Sequence, residues 1–355
     1  MAIVVIDPRD QPPAALRAWA RGLGEPDATA RRLLSAVLGH GVHDPAAWGR
    51  QFQVPRRISD RLSTPLPRLA LEQVATSAVD GFQKLLFRTA DGLALETVLI
   101  PLHKAGSVSV CLSSQVGCAM ACAFCATARM PDRRSLATWE IVDQWAQARA
   151  LARSQGRRVT GAVFMGMGEP FLNYDRVLAA AELFRDPSGG ALAAKAMTIS
   201  TVGLVPEIDR FTAERRRFRL SISLGGATDA TRARLVPIAA RMPLAEVMAA
   251  ARRHALARRD RVMLSYVCIG GENVGENDAR ALGALIGDTL VRLDLIDVTD
   301  PTGRFRPPTP AEMASFRDAL TVHLGQPVVR RYSGGADIQA ACGTLAGGEV
   351  GQHGT

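Results

Sequence analysis

Four of the six cysteines in this 355-residue chain crowd together, at Cys111, Cys118, Cys122 and Cys125, while Cys268 and Cys342 stand apart. The last three of the four lie in Gly117-Cys118-Ala119-Met120-Ala121-Cys122-Ala123-Phe124-Cys125, a C-x3-C-x2-C spacing. Three thiolates on so short a loop can each bind one iron of a [4Fe-4S] cubane and leave the fourth iron open to a small molecule. The alternative is a zinc site with Cys111 or His103 as fourth ligand. Such sites pair a C-x2-C with a second, distant pair, and this chain has none. The spacing favours the cluster.

Other residues could serve the same centre. Met165-Gly166-Met167-Gly168-Glu169-Pro170 follows a strand-like run. Gly168 would let backbone approach a ligand closely, and Glu169 could accept from an ammonium group. Ser200-Thr201 and Ser221-Ile222-Ser223-Leu224-Gly225-Gly226 end two more strand-like runs with small polar residues. Cys342 sits among small residues in Ala340-Ala341-Cys342-Gly343, near the end of the chain. There it is either a reachable thiol or a buried small hydrophobe. Cys268, in an apolar run, reads as the latter. Glu96, in Leu95-Glu96-Thr97-Val98, reads by itself as a charge on a solvated strand edge.

These residues need a scaffold, and the periodicity supplies one. From Ser107 onward, strand-like runs cover Ser107–Leu112, Gly161–Met165, Met197–Thr201, Phe218–Leu224, Val262–Cys268 and Leu293–Val298. Helical patterns alternate with them: Ser135–Ser154, Tyr174–Phe184, Val205–Thr212, Ala227–Leu235, Leu244–Arg258 and Glu276–Leu290. A last helix, Pro310–Leu324, and a strand near Pro327–Arg331 follow. Such alternation predicts parallel βα units, either an open doubly wound sheet or a partial barrel. In both, chemistry collects at the C-terminal ends of the strands. Before residue 75 the pattern predicts short helices at Pro13–Gly22 and Ala28–Leu38, with a weaker third at Arg57–Leu66. An Asp80-Gly81 turn and a strand at Ala94–Pro101 lead into the main unit. The Gly-rich tail after Leu345 is expected to be mobile.

Apolar residues make up 47% of the chain, enough for a full core, and the net charge is +9. Such a surface suits a polyanion such as RNA, although the Arg- and Ala-rich composition is also what GC-rich codons produce. No apolar run is long enough to span a membrane. Asp7, Arg9 and Asp10 rule out a signal peptide at the start of this sequence. A cytoplasmic protein is expected, with its thiols reduced.

Together the motifs resemble the RlmN/Cfr family of radical S-adenosylmethionine (SAM) RNA methyltransferases. The most specific stretch is Cys111-Leu112-Ser113-Ser114-Gln115-Val116-Gly117-Cys118, continuing through Cys125. The segments Glu96–Pro101, Met165–Pro170, Thr198–Gly203 and Ala340–Gly343 also match, in the right order. The resemblance implies an α/β fold, a partial (β/α)6 radical SAM barrel with a small N-terminal helical domain. The implied boundaries are 1–78 (helical), 79–106 (β extension), 107–326 (barrel) and 327–355 (C-terminal segment).

It also implies that Cys118, Cys122 and Cys125 hold a [4Fe-4S] cluster. SAM contacts would come from Gly168, Glu169, Ser200, Ser223, Leu224, Gly225 and Thr299. Family members methylate carbon 2 or carbon 8 of an adenine, atoms too weakly nucleophilic for ordinary methyl transfer. One SAM methylates the cysteine matching Cys342; a second yields a radical that activates that methyl group. Cys111 would resolve the adduct as a disulfide, and Glu96 would take the ring proton. The expected partners are ribosomal or transfer RNA and an electron donor such as flavodoxin or ferredoxin, and the enzyme is expected to be a monomer.

This chain departs from the family pattern at Gly225 (usually His), Ser265 (Glu), Thr299 (Asn) and Thr344 (Gln). The rival readings are a radical SAM methylase of a small molecule and a zinc-stabilised nucleic-acid-binding module.

Overall fold

The computed structural model describes residues 6–62 and 65–346. The chain opens with helices α1 (Pro13–Gly22), α2 (Asp27–Leu34), α3 (Pro45–Phe52) and α4 (Arg56–Ser59). A single wide turn at Ser35–Gly39 extends α2 toward the expected end at residue 38. The expected third helix at Arg57–Leu66 shrinks to the one turn of α4. The longer α3 beside it was not anticipated. Its start is a local signal, with Asp44 accepting from the Ala46 N–H and Pro45 at the first helical position.

Four antiparallel strands follow: β1 (Ala70–Thr76), β2 (Gln83–Arg88), β3 (Ala94–Pro101) and β4 (Ser107–Cys111). A two-residue hairpin, β5 (Gln115–Val116) with β6 (Arg134–Ser135), interrupts the series. Alternation then begins with α5 (Thr138–Ser154), β7 (Arg158–Phe164), α6 (Tyr174–Arg185), β8 (Met197–Thr201), α7 (Val205–Ala213) and β9 (Arg219–Ser223). It ends with α8 (Asp229–Leu235), α9 (Leu244–Arg258), β10 (Val262–Cys268), α10 (Glu276–Ile286), β11 (Val291–Asp297), α11 (Pro310–His323) and β12 (Val328–Arg331).

All strands except the β5–β6 hairpin form one sheet, ordered β1-β2-β3-β4-β7-β8-β9-β10-β11-β12. From β4 onward every pair is parallel, and neighbours in space are neighbours in the chain. A doubly wound sheet would reverse its order at a switch point, and none occurs. Successive helices pack on one another: α5 on α6, α7 on α9, α9 on α10 and α10 on α11. The result is the singly wound, open barrel, with β1 and β12 as its outer strands among the described residues.

Parallel strands covered on both faces must be apolar throughout. Val110, Ala162, Phe164, Ile199, Ile222, Leu264 and Leu295 are accordingly all sealed from solvent. The antiparallel extension changes the reading of Glu96. Because β1 and β2 continue the sheet, β3 is an interior strand, and Glu96 is fully buried rather than solvated.

The N-terminal segment is tied to α5 by buried charge. Arg9 pairs with Asp7 at 2.7 Å and with Asp143 at 3.3 Å, and all three side chains are sealed. Asp143 also accepts from the Leu69 N–H at 2.9 Å. The tail beyond Ala346 lies outside the described residues.

Candidate active site

The cysteine loop leaves the sheet at the C-terminal end of β4 and is closed at its base by β5 and β6. Gly117 turns into the loop at φ +64°, and a Cβ there would meet the Asp132 carbonyl oxygen at 2.2 Å. The loop is pinned from two sides. The Ala123 N–H donates to the Leu235 carbonyl (2.8 Å) and the Ala126 N–H to the Gly343 carbonyl (2.7 Å).

Cys118, Cys122 and Cys125 line one chamber together with Gly168, Glu169, Ser200, Ser223 and Gly225. Burial pushes the Cys118 thiol up to about 12 and raises Cys122 as well. Ionising these thiols in such surroundings requires a compensating positive centre, which a metal cluster supplies. Among the described residues no three His, Cys, Asp or Glu side chains converge as ligands of a single ion would. Thiolates that each hold a different iron of a cubane need not converge on one point. The donor set therefore fits a cluster with one open iron.

The chamber wall opposite is built by strand ends. The Glu169 carboxylate accepts from the Phe171 N–H (2.9 Å) and the Val202 N–H (2.8 Å). Burial lifts its pKa to about 7 against the lowering effect of those two donors. Gly168 lies at φ +98°, where a Cβ would strike the Gln115 side chain at 2.6 Å. Gln115 in turn accepts from the Glu169 N–H at 2.9 Å. Below, the buried Arg232 gathers the ends of β8 and β9, donating to the carbonyls of Val202 (2.6 Å), Ser223 (3.2 Å) and Leu224. Ser265 bridges to Ser221 at 2.9 Å and faces the chamber.

The C-terminal segment completes the site. Cys342 lines the chamber and also the adjoining cavity that Cys111 lines, so it stands in their shared wall. Its thiol is open to solvent through these cavities, yet crowded by protein, and burial raises its pKa. Burial likewise drives Cys111 up to about 12, with further upward pressure from Cys342. Arg331 lines both cavities, and its charge pulls both thiols down.

Hydrogen bonds fasten the segment: the Cys342 N–H to Ser333 Oγ (2.8 Å), Thr127 Oγ1 to the Leu345 carbonyl (2.6 Å) and the Ala346 N–H to Glu96 Oε2 (2.9 Å). Glu96 Oε1 meets Lys84 Nζ at 2.8 Å, both side chains buried.

Leu224, expected to act through its backbone, buries its side chain in the core while its carbonyl stays at the strand end. One expected contact does not join the chamber. Thr299, two residues past the end of β11, lines a different cleft with Asp297, Arg330 and Tyr332. Sequence reasoning missed Arg232, Arg331, Lys84 and Gln115. Arg331 and Gln115 lie close to motif residues, but Lys84 and Arg232 carry no local signal.

The radical SAM superfamily model matches residues 112–282. A probable RNA methyltransferase from Myxococcus xanthus is 45% identical over 338 residues, covering 95% of this chain and 93% of that protein. A dual-specificity RNA methyltransferase RlmN from Syntrophobacter fumaroxidans is 36% identical, covering 93% of this chain and 95% of that protein. The crystal structure of a radical SAM methyltransferase from Sphaerobacter thermophilus superposes with a TM-score of 0.87 at 34% identity, covering 97% of this chain and 100% of that one.

Fold and site together define a radical SAM enzyme. Within that class, the chain belongs to the RlmN-type family of RNA methyltransferases.

Proposed function

We propose that this enzyme methylates a ring carbon of an adenine in ribosomal or transfer RNA, through a methylated Cys342 and a transient Cys111–Cys342 disulfide. The observation that carries the proposal is the position of Cys342 between the cluster-cysteine chamber and the cavity of Cys111. Cys118, Cys122 and Cys125 would hold a [4Fe-4S] cluster. Glu169 and the backbone at Gly168, Ser200, Ser223 and Gly225 would hold SAM, the carboxylate receiving its ammonium group. Bound there, cluster and SAM supply a carbon radical able to take one hydrogen atom from a methyl group.

The protein's own part is nucleophilic and acid–base. The Cys342 thiolate, favoured by the charge of Arg331, takes a methyl group from the SAM sulfonium, which leaves as a neutral thioether. After the activated methyl carbon has joined the adenine, the adduct gives up one electron, the same number the electron donor spent in generating the radical, and Glu96 removes the ring proton. Cys111 then attacks the Cys342 sulfur; the S–S bond forms as the carbon–sulfur bond breaks, and the carbon takes a proton. The disulfide holds two electrons fewer than the two thiols, so a thiol reductant must restore them for the next turnover. Glu96 is fully buried and lines neither cavity, with Oε1 on Lys84 and Oε2 on the Ala346 N–H, so for it to reach the ring proton the C-terminal segment has to move aside.

Peptide mass spectrometry after anaerobic incubation with SAM tests the reading. Methyl-Cys342 is expected in the wild type and in Cys111→Ala, which should also accumulate a covalent protein–RNA adduct. An unmodified Cys342, or efficient release of methylated RNA by Cys111→Ala, would refute it.

A further inference from the structure

The face of the barrel opposite the chamber carries unpaired cations in a row. β7, β8, β9 and β10 are consecutive neighbours in the sheet, and their N-terminal ends open on that face. Arg157 and Arg158 stand at the start of β7, Lys195 just before β8, Arg217 and Arg219 at the start of β9, and Arg261 just before β10. They line two clefts.

The first cleft, about 450 Å³, is walled by Arg149, Arg153, Arg157 and Arg158 with residues 190–193, and no carboxylate lines it. The second adds Arg258 to Lys195, Arg217, Arg219 and Arg261. Its one acid, Asp260, already accepts from the Arg261 N–H at 2.8 Å.

Other arginines of the barrel are neutralised: Arg216 by Glu182 and Glu214, Arg253 by Asp209, and Arg292 by Asp294. Among the described residues, none of the cations lining the two clefts has an ion-pair partner.

The first cleft is also held in shape. Arg149 donates to the Leu38 carbonyl at 3.0 Å and lies over the Trp145 ring at 4.8 Å. Arg153 donates to the Gly39 carbonyl at 3.0 Å. These carbonyls orient the guanidiniums without cancelling their charge. Burial, with the charges of Arg153 and Arg158, holds Arg149 down at about 10, so an anion here would relieve real repulsion.

We propose that this band docks the phosphodiester backbone of the RNA substrate at a second site, remote from the target base. The inference rests on RNA being the substrate and adds what kind of RNA it is. Seven residues of β7 separate this face from the chamber, about 20 Å at ~3.3 Å per residue. An isolated stem–loop shorter than this span cannot touch both ends, whereas a multi-helix RNA can embrace the barrel, and the substrate would be of that kind.

Binding of a multi-helix ribosomal RNA fragment and of an isolated stem–loop, measured by fluorescence anisotropy over a salt series, tests the proposal. The proteins are the wild type, the triple variant Arg153→Gln, Arg157→Gln, Arg158→Gln, and the matching triple lysine variant. Each lost phosphate contact removes about 0.7–0.9 from the slope of log affinity against log salt. On the fragment, the glutamine variant should lose about 2 from that slope and bind on the order of tenfold more weakly. The lysine variant should restore both, and stem–loop binding should not change.

An unchanged fragment slope would overturn the proposal, as would an equal loss on the stem–loop. A wild-type protein that binds neither RNA would instead refute the RNA reading itself.

Discussion

Glu169 is the residue whose chemistry depends most on its surroundings. Two backbone donors favour its charge, yet burial outweighs them and lifts its pKa to about 7. A ligand ammonium needs the ionised form. SAM affinity should therefore rise with pH up to about 7 and level off above it, falling about tenfold per pH unit below. Calorimetric titration from pH 5.5 to 8.5 would check this, and Glu169→Gln should bind weakly with a flat profile. Arg232 acts on the same wall from beneath. Replacing it by Met leaves the carbonyls of Val202, Ser223 and Leu224 without donors. The expected loss is about 3 kcal/mol in urea denaturation. The ligand role of Glu169 is written in its Gly-rich motif, but its shifted pKa is not, and Arg232 reads as a surface residue of a short helix until its three acceptors are seen.

Among the elements, the cysteine loop and the C-terminal segment behave differently. The loop is set at its base by its own ends, a two-residue ladder and Gly117, and farther out by the carbonyls of Leu235 and Gly343. Gly117→Ala should leave the far-ultraviolet circular dichroism intact while lowering iron and sulfide content after reconstitution. The C-terminal segment is held from outside. Asp80 accepts from the Gly335 N–H (2.8 Å) and the Tyr332 hydroxyl (2.7 Å), beside the cavity of Cys111. Asp80→Ala should loosen the segment and speed alkylation of Cys111 by iodoacetamide severalfold, with Cys268 unchanged as the internal control. The helical patterns from α5 onward were legible because their faces repeat. The helical pattern overshoots α10 by four residues, since Gly287, at φ +55°, a conformation other residues rarely adopt, stops it at Ile286.

At the scale of the whole molecule, the N-terminal helices and the barrel are joined through charge rather than apolar contact alone. Asp143→Ala would leave Arg9 buried with one of its two carboxylate partners and free the Leu69 N–H. The expected loss is about 3 kcal/mol, read as a lower Tm in differential scanning calorimetry. Consecutive strand order also gives the molecule two unlike faces. The C-terminal ends of the strands bear the thiols and Glu169, and the N-terminal ends bear unpaired cations. The net charge of +9 hinted at a polyanion but could not say which face would meet it.

The sequence by itself determined what depends on near neighbours. The C-x3-C-x2-C spacing, the alternation of strands and helices and the Asp80-Gly81 turn all act over a few residues, where chain geometry limits the choices. The tertiary structure decided what depends on which distant segments meet. It buried Glu96 against Lys84, brought Cys342 beside Cys111, sent Thr299 to another cleft and chose the open barrel over the doubly wound sheet. Each of these follows from the order in which strands pair. Strand order is a property of the whole sheet, set by the summed burial of its faces, and no single segment carries it.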